Sequence, residues 1–214
     1  MSPIPDDLPP LPAGDVIPSL AELADLLAST FPAGERDAAR AAFIDEILPW
    51  DTRSLAGHPQ PRRYLELVYQ GLGRALGTDP AQRTARLGAI VCDRGAQRLT
   101  DRIGGLAIAR YLRGRKGPRP ASVTANDLEI SAPFTPLTDD AFAAEVARAA
   151  TDLAVWEERA RADHPACLAA RRVDIAHARF ALDNARTGHF DAASGYLYGF
   201  LHRAGERPRE IGVH

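Results

Sequence analysis

Residues 83–119 read RTARLGAIVCDRGAQRLTDRIGGLAIARYLRGRKGPR, a stretch whose apolar and basic residues both recur at helical spacing. Leu87, Val91, Leu99, Ile103 and Leu106 line one stripe at helical spacing. Arg86, Arg94, Arg98 and Arg102 recur at multiples of four and form a neighbouring stripe. Gly95 and the pair Gly104-Gly105 are expected to break or kink this helix into two. The run from Arg110 to Pro120 is too rich in glycine and proline to stay helical.

The same pattern extends outward in both directions. Ser19-Leu20-Ala21-Glu22 fits a capping box that opens a first helix with Leu20, Leu23 and Leu27 on one face, ending at Phe31-Pro32. A second helix follows Gly34, with Ala38, Ala42, Ile44, Ile47 and Leu48 inward, and stops at Pro49-Trp50. Pro61 suits a first helical turn, and Tyr64, Leu65, Leu67, Val68, Leu72 and Leu76 give a third amphipathic helix that Gly77 closes. Within it, Gly71 and Gly73 suggest a close helix crossing. Asp79, Pro80 and Gln82 then form the start signal of the arginine helix. Beyond it, Phe142, Val146, Ala149, Leu153 and Trp156 mark a long helix ending near Asp163. Pro165 starts another that runs through Ile175 and Phe180 to about Thr187, and a last helix from about Asp191 carries Tyr196, Leu197, Phe200 and Leu201.

The expected fold is therefore all-α, a multi-helix bundle of about seven helices with an extended connector before a C-terminal helical hairpin group. Residues 1–18 contain six prolines and form an extended arm. Residues 19–113 make an N-terminal bundle, 114–138 a basic, extended connector with one short strand at Leu128–Ile130, and 139–214 a C-terminal helical subdomain.

Charge is distributed unevenly. Residues 1–82 sum to −6 and 120–214 to −4, while 83–119 carry ten lysines and arginines against Asp93 and Asp101, or +8, within a formal total of −2. A basic segment between acidic flanks is a footprint for an anionic partner. The residues expected to contact it are Arg94, Arg98, Arg102, Arg110, Tyr111, Arg113, Arg115, Lys116 and Arg119, with Tyr111 able to stack on a base. Lys116 is the only lysine against 25 arginines, so arginine here reflects composition as much as bidentate recognition.

Other chemistries leave weaker traces. No run of 18 apolar residues exists, and MSPIPDDLPPLPAGD is acidic and proline-rich where a signal peptide would be basic and then apolar, so a cytoplasmic protein without membrane contact is expected. Cys92 and Cys167 lack CxxC spacing and are expected to be buried, reduced thiols. His164, His177, His189, His202 and His214 recur every 12 or 13 residues, but no H-x-x-x-H, H-E-x-x-H or E-x-x-H is present, and no metal or cofactor is expected. The G-x-S-x-G, G-x-x-x-x-G-K-[ST] and G-x-G-x-x-G motifs are likewise absent.

Two family resemblances are local. Gly188, Phe190 and Ala193 resemble the turn of a tetratricopeptide-like helix-turn-helix, with Asn184 where that family usually has an aromatic residue. Arg172 and His177 form R-x4-H with Asp174 one turn before the histidine, and this is similar to the HEPN family of helical proteins. That resemblance implies metal-independent RNA cleavage with His177 as acid or base toward the 2′-hydroxyl. The same spacing recurs at Arg53/His58, Arg159/His164 and Arg209/His214, so it discriminates poorly in an arginine-rich chain.

The leading expectation is a non-enzymatic interaction or adaptor subunit of a larger assembly. Its basic segment 83–119 would engage an acidic protein face or nucleic acid, with self-association or a protein partner. The alternatives are the HEPN-like ribonuclease and a helical transcription regulator whose helix-turn-helix would lie in Ser19–Leu48, an acidic pair poorly suited to a major groove.

Overall fold

The structure, a computed structural model, describes residues 4–14, 17–114 and 138–187. Its helices are α1 (Leu20–Ala28), α2 (Arg36–Ala42), α3 (Leu48–Asp51), α4 (Pro61–Leu76), α5 (Arg83–Gly114), α6 (Asp139–Asp163) and α7 (Pro165–Thr187). No strand occurs among the described residues, and the fold is all-α. The chain divides into two compact units, Met1–Gly95 and Ala96–His214, the division falling inside α5.

In the first unit, Ser19 caps α1 as the sequence predicts. Its N–H donates to Glu22 Oε2 at 2.7 Å, and the Glu22 N–H donates to Ser19 Oγ at 3.2 Å. Leu23 and Leu27 are buried against Phe43, Ile47 and Leu48 and against Leu65, Leu72 and Leu76 of α4. The second expected helix is built in pieces, because Pro49 has no N–H and its ring would collide with the carbonyl four residues back. A widened π turn at Phe43–Ile47, with the Leu48 N–H donating to the Phe43 carbonyl, carries the chain from α2 into α3. Its inward face also differs from expectation by one position: Ala39 and Phe43 are buried, while Ala38 is exposed.

In α4 the buried positions are Leu65, Tyr69, Leu72, Gly73 and Leu76. Leu67, expected inward, is 57% exposed. Two residues from Leu65 and from Tyr69, it sits about 200° around the helix from either, on the opposite side. Gly77 ends α4 at φ +73, and a Cβ there would overlap the Arg86 guanidinium. The guanidinium can swing aside, so it is the positive φ that calls for glycine.

The arginine helix is not broken. α5 runs 32 residues through Gly95 and Gly104-Gly105 and continues over Arg110–Gly114. A glycine costs a helix interior only about 1 kcal/mol, and burial of Leu87, Cys92, Ala96, Ile103 and Ala107 along its length offsets that. The buried stripe contains small and polar members, Cys92, Ala96 and Thr100, beside the leucines and isoleucine.

In the second unit, Ile103, Leu106 and Ala107 of α5 form one core with Phe142, Val146, Ala149 and Leu153 of α6 and with Ile175, Ala178, Ala181, Leu182 and Ala185 of α7. Thr138 caps α6, accepting at Oγ1 from the Ala141 N–H at 3.2 Å. Phe180 points outward and is 40% exposed, because alanines occupy the inward face of α7. Residues 115–137, with the strand expected at 128–130, and residues 188–214, with the expected turn at Gly188 and helix from Asp191, lie outside the described residues. No described helix is long and apolar enough to cross a membrane.

Candidate anionic-partner site on α5

Arg83, at the first position of α5, is completely buried. Its guanidinium has five N–H donors, and all five are used. Nη1 donates to Asp7 Oδ2 at 2.6 Å and to the Thr30 carbonyl. Nη2 donates to Asp7 Oδ1 at 2.6 Å and to the Gly77 carbonyl at 3.3 Å, which Nε also reaches at 3.3 Å. Arg86 donates to the Leu76 carbonyl at 3.2 Å and to Gln82 Oε1 at 2.9 Å.

The middle of the stripe is paired with carboxylates from elsewhere in the chain. Arg94 grips Asp51 through two bonds of 2.6 and 3.1 Å and reaches Asp93 at 3.0 Å, with Asp51 only 12% exposed. Arg102 donates to Glu145 and, at 2.6 Å, to Asp152. Burial works against the charge on Arg102, but the hydrogen bonds it donates to both carboxylates outweigh it and hold its pKa above the ordinary arginine value. Arg98 is half-buried and engaged. Arg110 is half-buried in the last turns of α5. Tyr111 and Arg113 belong to the same helix by their backbone. Their side chains, and Arg115, Lys116 and Arg119 altogether, lie outside the described residues.

The residues of the ribonuclease alternative are both on α7. Arg172 and His177 are exposed, and five residues of helix separate them by about 140° around the axis. Asp174 accepts from Arg171 at 3.0 Å. Among the described residues no three histidine, cysteine, aspartate or glutamate side chains converge as a metal site would require. Neither cysteine is in a disulfide; Cys92 is buried, whereas Cys167, expected to be buried too, is half-exposed.

Two features escaped the sequence reading. The first is an open groove of about 620 Å³ between α4 and the start of α5, floored by Leu67, Val68, Gly71, Ala75, Ala89 and Ile90 and edged by Asp51 and Arg94. The second is the seat of the N-terminal arm. Tyr69 Oη donates to the Pro9 carbonyl at 2.7 Å, and Arg62 Nη2 donates to the Pro12 carbonyl at 2.7 Å. Gly73 owes its identity to this arm and not to a helix crossing, since a Cβ there would lie 2.6 Å from Leu8 Cδ2. The sequence signal for the arm was the acidic pair Asp6-Asp7 beside Leu8 and Leu11 in an otherwise proline-built segment.

These features define a helical protein whose central arginines are largely tied to its own carboxylates. Comparison with known proteins places it no further: no family model, curated protein or solved structure matches the chain.

Proposed function

We propose that the chain is a non-enzymatic helical interaction subunit that engages an anionic partner through the basic end of the 83–119 segment. The observation that carries this reading is the division of labour among the arginines. Arg83, Arg94 and Arg102 are held by Asp7, by Asp51 and Asp93, and by Glu145 and Asp152. From Arg102 to Asn126 the sequence contains no carboxylate, and Arg110, Arg113, Arg115, Lys116 and Arg119 fall within that interval. What supports the reading is that this interval carries positive charge with no carboxylate beside it in sequence, and Tyr111 within it as a ring for stacking.

The test is binding of a single-stranded RNA oligonucleotide across a salt series. Log affinity falls with log salt at about 0.7 per phosphate contact, so replacing Arg113, Arg115 and Lys116 by glutamine lowers the slope by about 2. Replacing Arg94 leaves it unchanged. RNA that fails to bind at low salt, with an acidic protein lost from the triple variant in pull-downs, assigns the partner to protein. A chain that captures neither overturns the reading. His177→Ala provides the ribonuclease control: loss of RNA cleavage by a folded variant would favour that alternative.

A further inference from the structure

The N-terminal arm is bound as a peptide ligand is bound. Residues Pro5–Leu8 make one turn, with the Leu8 N–H donating to the Pro5 carbonyl at 3.2 Å, and no helix or strand follows before Gly14. Prolines at 9, 10 and 12 carry no N–H, so between Pro9 and Pro12 only Leu11 offers a backbone donor, and Tyr69 and Arg62 supply the donors for the Pro9 and Pro12 carbonyls. Leu8 fills the slot that glycine at 73 leaves open. Asp7 lies bidentate on Arg83. Each recognition element of the seat belongs to α4 or α5, and each faces an element of the arm.

This seat is poorly suited to being empty. Arg83 is fully buried, and among the described residues Asp7 is the carboxylate that neutralises it. Losing the arm takes away the carboxylate that pairs with Arg83 and its bidentate bonds, which is unfavourable unless another carboxylate replaces it. The arm is tethered to α1 through residues 13–18, where Gly14 turns at φ +97; a Cβ there meets nothing within 4 Å. The turn at Gly14 has a conformation that glycine adopts freely and other residues do not, so a side chain there strains it.

We propose that the seat formed by Arg62, Tyr69, Gly73 and Arg83 is a receptor for the acidic, proline-rich arm, and that a second copy of the chain can supply residues 4–14 in trans, linking copies by arm exchange. The contacts made in cis and in trans are the same, so the balance rests on the tether. Covalent linkage through so few residues presents a chain's own arm at an effective concentration of roughly millimolar, which keeps dilute protein closed and lets copies exchange where they are crowded together.

The experiment uses the full chain and Gly14→Val, which strains the closed turn without touching the seat. Light scattering over a concentration series should show dimers of the variant at roughly 10- to 100-fold lower concentration than wild type, the range set by the strain of a non-glycine residue at that φ. Adding Asp7→Ala should return the variant to monomer, with circular dichroism to verify that it remains helical. An independent readout is a labelled peptide of residues 4–14: it should bind Gly14→Val at least tenfold more tightly than wild type and dissolve the dimers, while the same peptide carrying Asp7→Ala should do neither. Dimerisation unchanged by Gly14→Val overturns the proposal. So does a dimer that survives both Asp7→Ala and excess peptide, or a folded Gly14→Val protein that does not take up the labelled arm.

Discussion

At the scale of single residues, Arg83 joins four parts of the first unit: the arm at Asp7, the chain after α1 at Thr30, the end of α4 at Gly77 and the start of α5. Arg83→Met keeps the volume and removes the donors, leaving two carbonyls without partners, so a loss of about 2–4 kcal/mol in urea unfolding is expected. The hydrogen bonds from Arg83 hold the Asp7 carboxyl below the ordinary aspartate value of 3.8. A depressed folded-state pKa stabilises above the unfolded value, so this contribution is complete above pH 3.8 and disappears as pH falls through the lower, folded value. Fluorescence from a probe on the arm should report release in that acid window and not near neutrality. Tyr69 behaves oppositely. Burial pushes its phenol from 10.0 up to about 12, so its contribution is complete below pH 10 and is lost as pH climbs toward 12. Tyr69→Phe should flatten that alkaline limb in pH-dependent melts while costing about 1 kcal/mol at neutral pH, the hydrogen bond to Pro9.

At the scale of elements, the alanine seam of α7 is intolerant of size. Ala178 is fully buried and Ala181 nearly so against α6, and enlarging Ala178 to leucine should destabilise by about 1–3 kcal/mol, read as a shift in the denaturation midpoint. Gly77→Ala places a side chain at positive φ and should cost a similar amount. How well each helix could be read in advance follows from its side chains. α6 was legible because Phe142, Val146 and Leu153 are large and fall on one face. α5 was legible as a helix but not in its continuity: the glycines that argued for breaks are cheap when neighbours on both sides are buried, and Cys92, Ala96 and Thr100 are too small or too polar to announce a stripe. In the second helix, a run of alanines at 38, 39, 41 and 42 gave no means of choosing a face, and Phe43 set it one position away. The arginine site was legible as charge alone. Spacing on α5 puts Arg94 and Arg102 on a stripe, but their partners stand 43 and 50 residues away, and only the packing of helices selects them.

At the scale of the molecule, a formal charge of −2 conceals acidic and basic stretches that are partly matched to each other within each unit. The consequence is a separation of roles that substitutions can expose. Arg94→Gln leaves Asp51 poorly solvated and should lower stability by about 1–3 kcal/mol, equivalent to roughly 3–8 °C in Tm for a chain of this size, with polyanion binding unchanged. Substituting Arg113, Arg115 and Lys116 should do the reverse. Synthesis on the ribosome adds a constraint of timing. Asp7 and Arg83 are 76 residues apart, and at about 5–20 residues per second the arm waits roughly 4–15 s after it is made before its receptor exists. If arms exchange as proposed, that interval leaves an arm without its own seat, and polysomes, where nascent chains are held close together, are the setting in which the first unit is most exposed to pairing with the wrong arm.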